Sequence, residues 1–199
     1  MRIPELIKKF ADIFATLPGV GPRQAIRLAF FFVYRRALVE EAIQALEEIK
    51  KIKICRDCFF IHQNNDELCD ICRNPKRDKK LIAVVEKETD LMSIENTGKF
   101  SGRYLILGDL RKKGVLEPDQ KTKLESLKSF IMSLPGGQAE EIIIAINPTT
   151  VGIVNSRVIA DELKPYTQKI TRLGIGIPSG GEIEFADEET LGEALQRRS

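Results

Sequence analysis

Apolar side chains recur at Ile3, Leu6, Ile7, Phe10, Ile13 and Phe14 with the three-and-four spacing that places them on one face of a helix, so residues 3–16 are predicted helical. The run Leu17-Pro18-Gly19-Val20-Gly21-Pro22 must interrupt it. Pro18 disfavours helical dihedrals at the residue before it, and glycine admits backbone conformations that a Cβ forbids. Pro22 suits the first position of a new helix over residues 23–35, and a third amphipathic helix is predicted over residues 38–51. From residue 81 onward the pattern changes to short aliphatic, β-branched runs. These are residues 81–86, 103–107, 141–146 and 169–173, with amphipathic helical stretches at 90–95, 119–134 and 156–163 between them. Such alternation predicts an α/β domain around a mostly parallel sheet, whose ligands would sit at the carboxyl ends of the strands. Residues 174–185 read as a glycine-punctuated turn leading into an extended arm, and Asp187 as the N-cap of a short final helix.

Length changes this picture little. At 199 residues, 43% of them hydrophobic, the chain can bury a respectable core, and it has no apolar run long enough to span a membrane. The amino terminus alternates charges with apolar residues, so a cytoplasmic protein is expected. The net charge of +2 becomes informative only when divided. Residues 1–54 hold ten Lys or Arg against six Asp or Glu, residues 55–80 six against five, and residues 81–199 fifteen against eighteen. The positive charge therefore lies at the front, where a nucleic-acid footprint would be local.

That front segment has the layout of a helix-hairpin-helix DNA-binding motif. Gly19 and Gly21 let the backbone approach a phosphate, while free N–H groups of the turn and the next helix start face the anion. Arg23 and Arg27 lie four apart, on one helix face, and can add charge-assisted contacts to neighbouring phosphates. Contacts of this kind read no bases, so binding is expected to be largely indifferent to sequence and weakened by salt. An ordinary helical hairpin closed by two glycines is the plainer alternative.

All four cysteines fall within eighteen residues, as the pairs Cys55/Cys58 and Cys69/Cys72 with ten residues between the pairs. Two such knuckles converge on one tetrahedral Zn²⁺ with four thiolates, a closed and structural site. Disulfides, a redox dithiol and an iron–sulfur cluster are the competing readings, less suited to a reduced compartment or to two matched pairs. His62, the single histidine, lies between the knuckles and is able to replace a cysteine as ligand, but with four thiolates present it is expected at the surface. Glu86, at the end of the first long strand, reads as a solvated strand-end residue. The Asn147-Pro148-Thr149 turn after the third strand holds no acid with which it could share a divalent ion.

Taken in order, Leu17-Pro18-Gly19-Val20-Gly21-Pro22-Arg23, Arg27-Leu28-Ala29-Phe30, the cysteine spacing, Val84-Val85-Glu86, Leu105-Ile106-Leu107-Gly108, Asn147-Pro148-Thr149 and residues 177–187 resemble the bacterial recombination mediator family RecR along essentially the whole chain. The resemblance implies a helix-hairpin-helix region at 1–54, a four-cysteine zinc module at 55–80, a Toprim α/β domain at 81–176, and a C-terminal arm and helix at 177–199. It further implies a homodimer or ring-shaped homotetramer that encircles duplex DNA and works with RecO, and in many bacteria RecF, to load the RecA recombinase at gapped or damaged DNA. Gly19, Gly21, Arg23 and Arg27 would contact DNA, the four cysteines would ligate zinc, and Glu86 would be the Toprim glutamate.

Two places depart from the family. Val151 and Ile153 stand where acids usually follow the Asn-Pro-Thr triplet, and Asp109-Leu110-Arg111-Lys112-Lys113-Gly114 replaces a loop usually rich in Ser, Pro and Gly. The expectation is therefore a non-enzymatic, sequence-indifferent DNA clamp. A Toprim-type metal-dependent nuclease or topoisomerase-like enzyme using Glu86, and a pure interaction module without direct DNA contact, are its rivals.

Overall fold

The computed structural model describes residues 3–174, 176, 177 and 179–196, and its contacts divide the chain into two compact units, Met1–Ile52 and Lys53–Ser199. The first unit holds three helices, α1 (Glu5–Phe14), α2 (Pro22–Val33) and α3 (Arg36–Ile49). Helices α1 and α2 close on small side chains: only Ala11, Ala25 and Ala29 are buried among its described residues. Phe10 stacks on Phe14 at 3.9 Å between ring centroids and meets the edge of Phe32 at 5.7 Å. The amphipathic faces predicted from spacing are present, yet Leu6 is 81% exposed and Leu46 58% exposed. An open groove of about 620 Å³ between the three helices is lined by Leu6, Phe10, Phe32, Val39, Ile43 and Leu46. This unit thus keeps much of its apolar surface uncovered within one chain.

The second unit begins with a small antiparallel pair, β1 (Lys53–Ile54) and β2 (Ile61–His62), followed by the single helical turn α4 (Asp70–Arg73). Its body is a four-stranded sheet of β3 (Leu81–Val85), β4 (Arg103–Ile106), β5 (Ala139–Ala145) and β6 (Thr167–Arg172), parallel throughout, in the order β4-β3-β5-β6. Helices α5 (Glu88–Asn96), α6 (Pro118–Met132) and α7 (Thr150–Leu163) make the crossovers that parallel strands require. Because side chains alternate across a strand, Ile82, Val84, Leu105, Ile142 and Ile144 face one way, packing with Leu124 and Leu127 of α6 and Ile159 and Leu163 of α7. Ala83, Val85, Tyr104, Ile106 and Ala145 face the other way, packing with Leu91 of α5. Both faces are covered, which is why these strands read as continuous aliphatic runs.

Helix α7 starts six residues ahead of the predicted residue 156. Thr149 caps it by accepting the Gly152 amide at 3.0 Å, and a Cβ at Gly152 would lie 2.0 Å from the Asn147 carbonyl oxygen. The β-branched pair and the glycine that look like loop in sequence are thus a cap and a close-approach point. Residues 183–185, predicted extended, form a 3-10 turn in which Ile183 and Phe185 are 69% and 80% exposed. The last helix, α8 (Glu188–Gln196), is preceded by Asp187, whose carboxylate accepts the Thr190 amide as an N-cap should. Residues 175, 178 and 197–199 of the predicted glycine loop and arm lie outside the described residues. Among the described residues no helix is long and apolar enough to cross a membrane.

Candidate metal centre and nucleic-acid interface

The two cysteine pairs converge. Cys55 follows β1 and donates its amide to the Phe60 carbonyl at 2.8 Å, while the Phe59 amide returns to the Cys55 carbonyl at 3.0 Å. This tight knuckle holds Phe59 at φ +64°, a conformation uncommon for a side chain of that size. Cys69 begins the second knuckle, its sulfur accepting the Cys72 amide at 3.5 Å. All four side chains are buried, none is in a disulfide, and the four sulfurs lie within 4.8 Å of one another, Cys58 and Cys69 at 3.5 Å. A tetrahedral ion with metal–sulfur bonds of about 2.3 Å sets its sulfurs roughly 3.8 Å apart, so the cage has the dimensions of one ion. It leaves no room for the bridging sulfides of a multi-iron cluster.

Electrostatics point the same way. Hydrogen bonding with Cys58, then Cys69 and Cys72, pulls the Cys55 thiol far down, while hydrogen bonding with Cys55 first, then Cys69 and Cys72, pushes the Cys58 thiol far up. Hydrogen bonding within the cage thus holds Cys55 toward thiolate and Cys58 toward thiol; a bound dication would let all four be thiolates. His62 takes no part in the cluster. Contrary to the surface position expected for it, the ring is buried and its Nδ1 accepts the Asn64 amide at 3.2 Å. Strand β2 points it inward, opposite Lys53 in register, an orientation that a lone histidine between two knuckles does not announce.

The cysteine cage is fastened to the parallel sheet by a residue that spacing did not single out. Arg103, at the start of β4 and buried, donates to the Asp57 carboxylate at 3.2 Å and to the Cys72 carbonyl at 2.6 Å. The Ile106 amide donates to the Cys58 carbonyl at 2.9 Å, so the first knuckle also pairs with the outer edge of β4. Phe59 packs on one core of the sheet, Phe60 and Ile71 on the other. Replacing Arg103 with Gln removes both fork bonds and leaves a buried carbonyl unpaired. We expect it to lower unfolding free energy by about 1–3 kcal/mol, measured by denaturant titration, with the metal content unchanged.

In the helical unit the residues named from the sequence come together. Gly19 has φ +77°, Gly21 is extended at φ −80° and caps α2, and Pro22 occupies its first position. The Val20 amide bonds to the Leu17 carbonyl at 3.1 Å, closing the turn. Among the described residues, the amides of Gly19, Gly21, Arg23 and Gln24 carry no hydrogen bond. Arg23 and Arg27 are exposed, and neither has an ion-pair or hydrogen-bond partner among the described residues. Open amides at a positive helix end beside two unpaired guanidinium groups are chemically an anion-binding surface.

Glu86 lies just past β3 and is half-buried, not a free strand-end side chain as expected. One carboxylate oxygen accepts the Leu110 amide and the other the Asn147 side-chain amide, both at 3.1 Å. Among the described residues, no group of three or more acids, histidines or cysteines besides the four cysteines is placed to hold a metal. A cavity of about 440 Å³ opens nearby at the carboxyl ends of β5 and β6, lined by Ile94, Ile146, Ile153, Leu173, Asn147 and Arg172 among others. Asp90 also lines it, but one of its carboxylate oxygens accepts the Lys87 amide at 3.0 Å in capping α5, and no third acid joins it there among the described residues.

Comparison with known proteins matches residues 80–174 to the Toprim domain family and residues 176–199 to the family described as RecR, C-terminal. Over 200 residues the chain is 38% identical to Recombination protein RecR of Thermus thermophilus, covering 100% of this chain and 98% of that protein. Recombination protein RecR of Rippkaea orientalis is 41% identical over 189 residues, covering 92% and 90%. That of Frankia alni is 38% identical over 196 residues, covering 97% and 96%.

Proposed function

From the premise that this chain belongs to the RecR family of recombination proteins, we propose that it acts in recombinational DNA repair as a largely sequence-indifferent DNA-binding mediator. The observation that carries DNA contact is the hairpin: uncovered amides around Gly19 and Gly21, with exposed Arg23 and Arg27 beside them and no protein partner satisfying either among the described residues. Phosphate oxygens supply the missing acceptors, and because the groups involved are backbone amides and cations, they distinguish charge and not base sequence. We read residues 1–54 as the DNA-binding region, 55–80 as a zinc module, 81–176 as the Toprim domain and 177–199 as an arm.

Cys55, Cys58, Cys69 and Cys72 would hold one Zn²⁺, which closes the site with four thiolates and supplies structure, with no open coordination position for chemistry. Divalent-cation chemistry at the Toprim end does not fit the residues present. Glu86 is occupied by two donors, and Asn147, Val151 and Ile153 offer no companion carboxylate. The chain is therefore read as a mediator and not a nuclease. The uncovered apolar groove of the helical unit favours assembly into a homodimer or homotetramer, since a monomer seldom leaves so much contiguous apolar surface in water. RecO- and RecF-type proteins are the proposed partners at duplex or gapped DNA, in the cytoplasm.

The deciding experiment measures duplex and gapped DNA binding across a salt series, and incubates the same substrates with Mg²⁺ or Mn²⁺. Affinity should fall steeply with salt and be alike for unrelated sequences, and the DNA should stay intact. Reproducible cleavage that disappears in Glu86→Gln would establish the enzyme instead, and absence of any salt-sensitive binding at low ionic strength would leave only an interaction module.

A further inference from the structure

The segment that connects β4 to α6 is held from several sides and yet points three consecutive cations into solvent. Leu110 and Leu116 anchor it in the core. The Leu110 amide is fixed by Glu86 at 3.1 Å, and the Asp109 carbonyl accepts from the side-chain amide of Gln120 at 2.8 Å. Asn155 of α7, fully buried, receives the Gly114 amide at 2.7 Å and donates to the Lys112 carbonyl at 2.9 Å. A buried carboxamide is costly to desolvate unless both its ends are paired, and here both ends pair with this one segment. Gly114, at φ +72°, makes the turn that brings its amide inward.

Between those anchors Arg111, Lys112 and Lys113 are exposed, the side chains of the first two by 75% and 66%. Their counter-charges are weakly engaged. Asp109 approaches Arg111 at 3.6 Å and Glu117 approaches Lys112 at 3.7 Å, exposed contacts that contribute little and are screened by salt. Lys113 has no ion-pair partner among the described residues. Lys87 extends the row, reaching Asp109 at 3.5 Å. This is a concentration of cations within residues 81–199, which carry three more acidic than basic residues.

We propose that Arg111, Lys112 and Lys113 form a second contact with the DNA sugar-phosphate chain, separate from the helical hairpin. It rests on the DNA-binding function proposed above and adds to it. Duplex DNA presents a charge about every 1.7 Å of its axis, so three adjoining cations find several phosphates within reach. The backbone beneath them is ordered before binding, which reduces the entropy lost on contact. The exposed apolar side chain of this segment, Val115 at 53%, is a single small aliphatic group, not the aromatic or clustered anchor that a protein partner's hot spot needs.

The test compares salt titrations of duplex binding for the wild-type chain, the triple variant Arg111→Gln with Lys112→Gln and Lys113→Gln, and the hairpin variant Arg23→Ala with Arg27→Ala. Losing three phosphate contacts should flatten the log–log salt slope by about 2–3 units and weaken low-salt binding roughly tenfold. Thermal melting should not move, since no backbone anchor is altered. A triple variant with the wild-type slope, beside a hairpin variant whose slope has dropped, would assign the row to an acidic protein surface or to nothing; it would overturn this proposal and leave the hairpin in place. Salt-insensitive behaviour of the wild-type chain would overturn both.

Discussion

Chelating the Zn²⁺ proposed for the cysteine cage, or replacing Cys58 with Ser, will loosen the parallel sheet as well as the segment from Cys55 to Cys72. The four thiol groups are buried together, and without a cation their protons must be shared among sulfurs that cannot all be charged. Residues 59–68 hold too few apolar side chains to collapse on their own, so the energy that orders them is mainly that of metal binding. The consequence travels through named bonds. The Cys58 carbonyl accepts the Ile106 amide on the edge of β4, and the Cys72 carbonyl accepts one arm of buried Arg103. Once the knuckles open, that guanidinium loses partners in a low-dielectric site, and Phe59 and Phe60 leave the two cores against which they pack. We expect on the order of 5 kcal/mol of lost stability and a fall in Tm of about 10–20 °C. Calorimetry of the full chain before and after chelation measures this, with hydrogen exchange at Ile106 reporting the sheet edge. An unchanged Tm with the metal demonstrably removed would contradict a structural role.

Arg23→Ala combined with Arg27→Ala should weaken duplex binding about a hundredfold at low salt, from two charge-assisted contacts of about 1.5 kcal/mol each. The salt slope should flatten by about 1.8 units, one released counterion term for each lost phosphate. The fold should be untouched, because both side chains are exposed and bond to nothing within the described residues. The double Lys variant discriminates further. It keeps both charges, so the slope should stay, while loss of the bidentate fork should still reduce affinity. Equal affinity of the Ala variant and the wild-type chain, measured by anisotropy with labelled duplex, would move the DNA surface away from the hairpin.

Much of this molecule was legible in one dimension. Periodicity near 3.6 located α1, α2 and α3 to within about two residues, and aliphatic runs located all four strands of the large sheet. The reason is that each pattern records which face of an element leaves water. Periodicity puts the start of helix α7 too late because Thr149, Thr150 and Gly152 have low helical propensity, and a cap is recognised only once its acceptor and donor are seen together. The cysteine cage was visible because metal ligation imposes a local spacing; its attachment through Arg103 was not, because Asp57 and Arg103 are 46 residues apart.

By itself the sequence determined the periodic elements, the two matched thiol pairs, the basic front segment and the open hairpin, since each depends on residues within a turn or two of one another. Tertiary structure alone decided that Glu86 is a hydrogen-bonded clasp instead of a solvated acid, that His62 turns inward, and that Asn155 fixes a cationic row beyond β4. Those outcomes turn on which donor meets which acceptor across the fold. A buried polar group takes whatever partner the packed chain brings to it, and that partner can come from any distance along the sequence.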